Sequence, residues 1–199
     1  MTRFNRQYVA YFEGLQEKLY FNYIAELIKK EYPNIQIKFN SIKNLPALSR
    51  NSTIMKKIAI YDYDMNEVEF RKRANINKNI EIYYSNVCFD LWLLLHKTMY
   101  EKVVNSPSDY ENDIKKFYAL NNNVNIKQER IINKILEQIS LDEVKNAIKN
   151  SKNIINRKLN NDFIKINNKF GYYDNPATNL YEFFDSLFSE INKEIGIVI

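Results

Sequence analysis

Lys57-Ile58-Ala59-Ile60-Tyr61, running into Asp62-Tyr63-Asp64, is the stretch that decides the fold. The run is apolar without alternation, as expected of a strand covered on both faces, and such strands belong to parallel sheets. Upstream, Tyr8–Phe12 reads as a strand ending in Glu13-Gly14, and Ile35-Gln36-Ile37-Lys38-Phe39 alternates like a half-buried one. Between them Leu15, Leu19, Tyr23, Ile24, Leu27 and Ile28 recur at helical spacing, which predicts a helix over about Gln16–Glu31 that Pro33 stops. Residues 40–53 read as a loop around Pro46, with room for a short helix whose place the pattern does not fix. Downstream, Ile80–Tyr84 is a fourth strand. Cys88–Lys97 follows as a very apolar helix, with Ser85 and Asn86 placed to cap it and Asp90 in its first turn. The order strand, helix, strand, strand, strand, helix is α/β.

From Asn105 the character changes. Capping boxes are expected at Ser108 with Glu111, Asn125 with Gln128, Ser140 with Glu143 and Asn179 with Glu182. Helical stripes follow, such as Ile131, Ile135 and Ile139, or Leu180, Phe184, Leu187 and Ile191. Residues 1–104 are therefore expected to form a parallel-sheet core and residues 105–199 a mainly helical region. The pattern leaves open whether that region is a separate domain or a layer on the core. No internal repeat is visible.

Composition narrows the class. The chain has 199 residues, a net charge of +5, 45% hydrophobic and 14% aromatic residues, far from the profile of a disordered chain. One cysteine allows no intrachain disulfide and fits a reducing compartment. The longest apolar block, Leu91–Leu95, falls well short of the ~20 residues of a membrane span. The N-terminal stretch turns acidic before a cleavable signal can form, so a cytoplasmic location is expected.

Acidic residues gather where two strands end. Glu13 closes the first, with Glu17 one turn into the next helix, and Asp62 and Asp64 close the third. Alternate residues of an extended strand share a face, so the two aspartates can converge. Ligands bind at the C-terminal edge of a parallel sheet. Carboxylates gathered there repel one another unless a cation intervenes. Hard oxygen donors with no histidine or thiolate beside them favour Mg²⁺ or Mn²⁺ over zinc. Such residues also serve as ordinary caps and turn formers. Gly14 adds weight, because a glycine there leaves the approach to the site unobstructed.

Three segments carry a resemblance: FEG-x-x-E-x-x-YF at Phe12–Phe21, IAIYDYD at Ile58–Asp64, and YSN-x-CFDLWLLLH at Tyr84–His96. Together they resemble the RloB family, which includes the AbiLii abortive-infection proteins and is related to the TOPRIM fold of topoisomerases, primases and OLD nucleases. DNPATNLYEFFDSL at Asp174–Leu187 is similar to the family's C-terminal segment. The resemblance implies a TOPRIM-like core and a bacterial antiviral-defence protein, encoded near restriction-modification genes or beside a partner ATPase. The ATPase must be a separate chain, since no Walker A motif is present. It further implies a metal-dependent nuclease in which Asp62 and Asp64 hold the metal, Glu13 binds it or acts as general base, and Glu17 helps a second ion. A nucleotidyl transferase, a nucleotide hydrolase or a noncatalytic sensor subunit are the alternatives. Three positions depart from the family pattern: Gln16 stands where Thr is usual, Val87 where Pro is usual, and Asp90 where Glu is usual.

Further candidates are weaker. Ser85, Asn86, Asp90 and His96 are possible substrate contacts. Asp90 and His96 lie about 240° apart around a helix and do not share a face. His96 reads better as the cap of the buried Trp92–Leu95 block, and Cys88 as core. Arg71-Lys72-Arg73, with Arg157, Lys158, Lys165 and Lys169, would suit a DNA or RNA backbone, although solvated lysines look the same in sequence.

Overall fold

Four parallel strands make the sheet, in the order β2-β1-β3-β4: β1 (Phe4–Phe12), β2 (Ile35–Ser41), β3 (Lys56–Asp62) and β4 (Glu81–Ser85). The fold is α/β. This computed structural model describes residues 4–52, 54–63, 66–75, 79–158, 162–167 and 170–196; Asp64 and Lys169, both singled out in sequence, lie outside them. All four expected strands are present, the first three with longer spans and the fourth shifted by one residue. Helix α1 (Leu15–Glu31) connects β1 to β2 and α3 (Glu67–Asn75) connects β3 to β4, while the short α2 (Leu45–Arg50) lies within the 40–53 stretch read as loop. The short helix that the sequence allowed in that stretch without placing it is α2, whereas α3 was not expected. In α3 only Phe70 and Ala74 are buried, so no apolar stripe announces it. Its period is carried instead by Glu67–Arg71 and Glu69–Arg73 pairs at 2.6 and 3.4 Å, each one turn apart.

The pleat divides the sheet residues between two cores. Tyr8, Ala10, Phe12, Ile37, Phe39, Ile58, Ile60 and Tyr83 face α1 and the remaining helices. Val9, Ala59, Tyr61 and Tyr84 face the other way, against Leu45 and Leu48 of α2, Phe70 of α3, and Tyr172. A strand sandwiched like β3 has no polar face, which explains its unbroken apolar run. Tyr172 belongs to the antiparallel pair β5 (Phe163–Lys165) and β6 (Gly171–Tyr173). Glycine is required at 171, where a Cβ would come within 2.3 Å of the Phe163 ring and 2.8 Å of the Ile164 carbonyl oxygen.

The helical layer consists of α4 (Asp90–Lys97), α5 (Pro107–Phe117), α6 (Glu129–Leu136), α7 (Leu141–Arg157) and α8 (Leu180–Glu194). Helix α4 packs against α5 and α7, α7 against α8, and α6 against α1. One apolar cluster runs from Phe21 of α1 through Trp92, Ile131 and Ile148 to Phe184. Residues 90–96 of α4 are all buried, as a helix apolar all round must be.

Helix starts differ from expectation in four places. Helix α4 begins at Asp90, so Ser85 and Asn86 do not cap it; Ser85 instead ends β4. Helix α5 is capped by Ser106 with Asp109, not Ser108 with Glu111, because Pro107 suits the first helical position. Asn125 caps a turn, its Oδ1 accepting from the Lys127 amide at 2.9 Å, and α6 starts later. Asn179 stands at the start of α8, but its side chain is spent elsewhere. Its Oδ1 accepts from the Tyr84 amide at 2.7 Å and its Nδ2 donates to the Ile82 carbonyl at 3.0 Å, covering the outer edge of β4. The Ser140–Glu143 box is present as read.

Candidate functional site

Strand β1 leads through α1 to one side of the sheet and β3 leads through α3 to the other. Their adjacent C-terminal ends are thus the point where the winding direction changes, and a crevice opens there in such sheets. Glu13 and Asp62 stand at those two ends. The Glu13 amide donates to the Ile60 carbonyl at 3.1 Å, and its Oε2 accepts from the Asp62 amide at 2.9 Å. The carboxylate therefore ties the two central strands together at their tips.

A cavity of about 240 Å³ opens at this point, lined by Glu13, Gly14, Leu15, Gln16 and Glu17 from one side, Asp62 from another, and Lys127 and Ile132 from the helical layer. Glu17 sits in the first turn of α1 and is only 3% exposed. Burial pushes its pKa up to about 7; the Glu13 and Asp90 carboxylates add to the rise, and Lys127 opposes it. A Cβ on Gly14 would lie 2.6 Å from Glu17 Oε2, so the glycine leaves room for that carboxylate. Glu13 carries a cation of its own: its Oε1 accepts from Arg73 Nη1 at 2.7 Å. Among the described residues no three His, Cys, Asp or Glu side chains are gathered tightly enough to hold a metal ion by themselves.

Behind the carboxylates lies a buried polar chamber. Asp90 is completely buried, and its Oδ2 accepts from Lys127 Nζ at 2.9 Å; the same ammonium donates to Gln16 Oε1 at 2.9 Å. Gln16 and Asp90 thus meet at one atom, the Lys127 ammonium nitrogen. Asn86 is also completely buried, and neither atom of its amide has a partner among the described residues, nor has Asp90 Oδ1 or Gln16 Nε2. Val87 has φ of 63°, and the Cys88 amide donates to the Asn86 carbonyl at 2.8 Å across it, a tight three-residue turn. That conformation is strained for a β-branched residue and closed to a proline ring, whose φ is fixed near −65°. The Asn86 backbone N–H donates to the Ala177 carbonyl at 2.9 Å, so the DNPATN segment supports the strained turn.

The remaining candidates are placed as follows. Ser85 hydroxyl donates to Thr178 Oγ1 at 3.1 Å inside the sheet edge. His96 is buried away from the cavity, its Nδ1 at 2.8 Å from the Trp92 carbonyl and its Nε2 at 2.9 Å from the Tyr20 hydroxyl. Cys88 donates to Asp90 Oδ2 at 3.5 Å, and burial pushes its thiol far above the ordinary range, which suits a core residue. Arg71 pairs with Glu67 and also donates to the Lys165 carbonyl at 3.3 Å, so the first basic cluster touches β5. Lys72 points at Glu69, 3.9 Å away. Arg157 pairs with Glu101 at 2.8 Å. Lys127 escaped the sequence reading altogether. It is a single lysine in an asparagine-rich connection, and no local pattern ties it to Asp90 or Gln16.

A family model described as RloB-like protein matches residues 9–187, from β1 into α8. The chain belongs to the RloB-like family. Within it, the match embraces every residue of the cavity and chamber described above. No curated protein and no solved structure matches the chain. Among the described residues, no helix of this RloB-like protein is long and apolar enough to cross a membrane.

Proposed function

We propose that this RloB-like protein is a metal-dependent phosphoryl-transfer enzyme, a nuclease acting on DNA or RNA in antiviral defence. The observation that carries the reading is the lining of one cavity by Glu13, Glu17 and Asp62 at the tips of the two central strands. The donor set fits Mg²⁺ or Mn²⁺: every candidate ligand is a carboxylate oxygen, and Glu17 is a buried carboxyl group whose charge a nearby cation would favour. Asp62 and Glu17 would hold the ion, joined by Asp64 on the family resemblance and by Glu13 once Arg73 lets it go. Bound there, the ion would supply an activated water and offset the charge of the phosphate. Arg73, freed from Glu13, would hold a non-bridging phosphate oxygen, as a guanidinium beside a carboxylate site is suited to do.

Size favours a nuclease over an enzyme of free nucleotides. A cavity of about 240 Å³ is below the range of ~300–1,000 Å³ usual for drug-sized ligands. It has room for a phosphodiester and an ion, while the nucleosides on either side stay on the surface. The defence setting, a cytoplasmic location and a separate ATPase chain follow from the resemblance to the abortive-infection proteins and from the sequence, and belong to the same proposal.

The test is incubation of the purified protein with labelled DNA, RNA and tRNA, with Mg²⁺, with Mn²⁺ and with chelator. Metal-dependent cleavage that disappears in Glu13→Ala and Asp62→Ala, both still folded, is the expected result. Absence of metal binding, together with intact phage protection in both variants, would sink the enzyme reading in favour of a sensor subunit.

A further inference from the structure

We infer that Lys127 is a second phosphate-gripping residue of this cavity beside Arg73, carried to the carboxylates by the helical half of the chain and aimed by the buried Asp90. The inference rests on the phosphoryl-transfer reading and extends it to a residue outside the sheet. Lys127 lies in the connection between α5 and α6, and its backbone is pinned by the two residues before it. Asn125 Oδ1 accepts from its amide at 2.9 Å, and Ile126 before it is buried in the core. Its side chain is half-exposed, yet its ammonium reaches a carboxylate that is 0% exposed. The lysine therefore spans from the open cavity, which it lines with Glu13, Glu17 and Asp62, to the interior.

A lysine placed only to neutralise Asp90 would be expected in a closed, fully bonded pair, since buried polar groups are almost always satisfied. The chamber is the opposite. Asp90 Oδ1, Gln16 Nε2 and both amide atoms of Asn86 lack partners among the described residues. Asn86 is held there by a strained turn at Val87. An ammonium has three donors, and among the described residues two are engaged, by Gln16 and Asp90. Burial would lower the lysine's pKa, but the Asp90 carboxylate more than offsets this and holds it above its ordinary value. The group is consequently a permanent cation and contacts phosphate as a point charge, without giving up a proton. A phosphodiester approaching three carboxylates meets repulsion from every side except those of Arg73 and Lys127. Arg73 is paired with Glu13, which lines the cavity, whereas Lys127 is anchored on Asp90, which does not.

Lys127→Met alone leaves Asp90 buried without its partner and risks unfolding the chamber. The decisive variant is Lys127→Met with Asp90→Asn, which removes both charges and leaves the net charge unchanged. Its binding to fluorescent single-stranded DNA and RNA oligonucleotides is measured against salt concentration, in Ca²⁺ and in chelator, beside a thermal melt. The expected result is a melt close to wild type, an affinity about tenfold weaker, and a salt slope reduced by about 0.7, the share of one single-strand phosphate contact. Lys127→Arg should keep the slope. Wild-type affinity and slope in the double variant would overturn the inference and make Lys127 the counter-ion of Asp90 alone. Failure of the wild-type protein to bind either oligonucleotide would overturn it too. Cleavage by the same preparations separates the two claims: cleavage with an unaffected double variant sinks the lysine alone. A Lys127-dependent slope without any cleavage supports the phosphate contact and sinks the nuclease.

Discussion

Helix α4 buries a polar cluster at each end, and the two are built on opposite principles. At its C-terminal end, side chains donate to backbone carbonyls: Tyr118 to Leu93 at 2.8 Å, and Asn150 at 2.8 Å to Leu95, which lies in the last turn where the helix offers no intrahelical donor. His96 joins them. The Trp92 carbonyl can only accept, so Nδ1 carries the proton and Nε2 accepts from the Tyr20 hydroxyl. At the N-terminal end, Asn86 and Asp90 are equally buried but keep atoms without partners, beside a strained turn and a cavity. Trp92 Nε1 is the one atom beside His96 without a partner among the described residues, whereas Gln16, Asn86 and Asp90 gather four such atoms, and theirs lie beside a cavity. That concentration of incomplete bonding is what suits a group kept ready for something else.

Substitutions should separate the two ends. The largest effect belongs to the cavity: Asp62→Ala is expected to lower metal-dependent cleavage about a hundredfold or more, with a melting temperature near wild type. A large drop in stability with activity retained would reverse the assignment. Next, His96→Leu strands the Tyr20 hydroxyl and should cost about 1–3 kcal/mol in chemical unfolding, while metal and oligonucleotide binding by the folded protein stay unchanged.

Acidity sharpens the contrast further. Burial holds the folded-state pKa of His96 at about 4, below its ordinary 6.5. The unfolded chain therefore takes up a proton first, and this group's contribution weakens as pH falls from 6.5 towards 4. Glu17 has the opposite sign: its folded-state pKa is about 7 against an ordinary 4.5, so stability falls as pH rises through that window. Between pH 4.5 and 6.5 the two slopes oppose each other. Relative to wild type, His96→Leu should therefore lose stability as pH rises, and Glu17→Gln as pH falls, each on the order of 1 kcal/mol per pH unit. Unfolding midpoints at pH 4.5, 5.5 and 6.5 check this; parallel curves for both variants would refute it. The smallest effect is expected from Gly14→Ala. Its new Cβ displaces the Glu17 carboxylate, so metal affinity should fall several-fold while stability changes by less than about 1 kcal/mol.

Much of this was legible in sequence because it is local. The unbroken run at Ile58–Tyr61 announced a strand covered on both faces, and Glu13, Glu17 and Asp62 could be placed at strand ends by counting along the chain. Spacing also separated Asp90 from His96, which the structure puts in the two different clusters. Helix α3 was missed because ion pairs, and not an apolar stripe, carry its period. The start of α5 was misread because Ser106 and Ser108 both suit a cap, and only Pro107 decides between them. Lys127 was out of reach for a different reason. Its partners Gln16 and Asp90 are 111 and 37 residues away, and nothing short of the tertiary fold brings those three together.

The anchoring of Asn86 on Ala177 has a consequence in time. The edge of β4 and the turn after it are held by Ala177, Thr178 and Asn179, which lie more than ninety residues downstream of Tyr84 and Ser85. During synthesis the carboxylates of β1 and β3 emerge well before the segment that fixes the floor of the chamber. A growing chain therefore carries its acidic residues for more than a hundred residues of synthesis before it can assemble them.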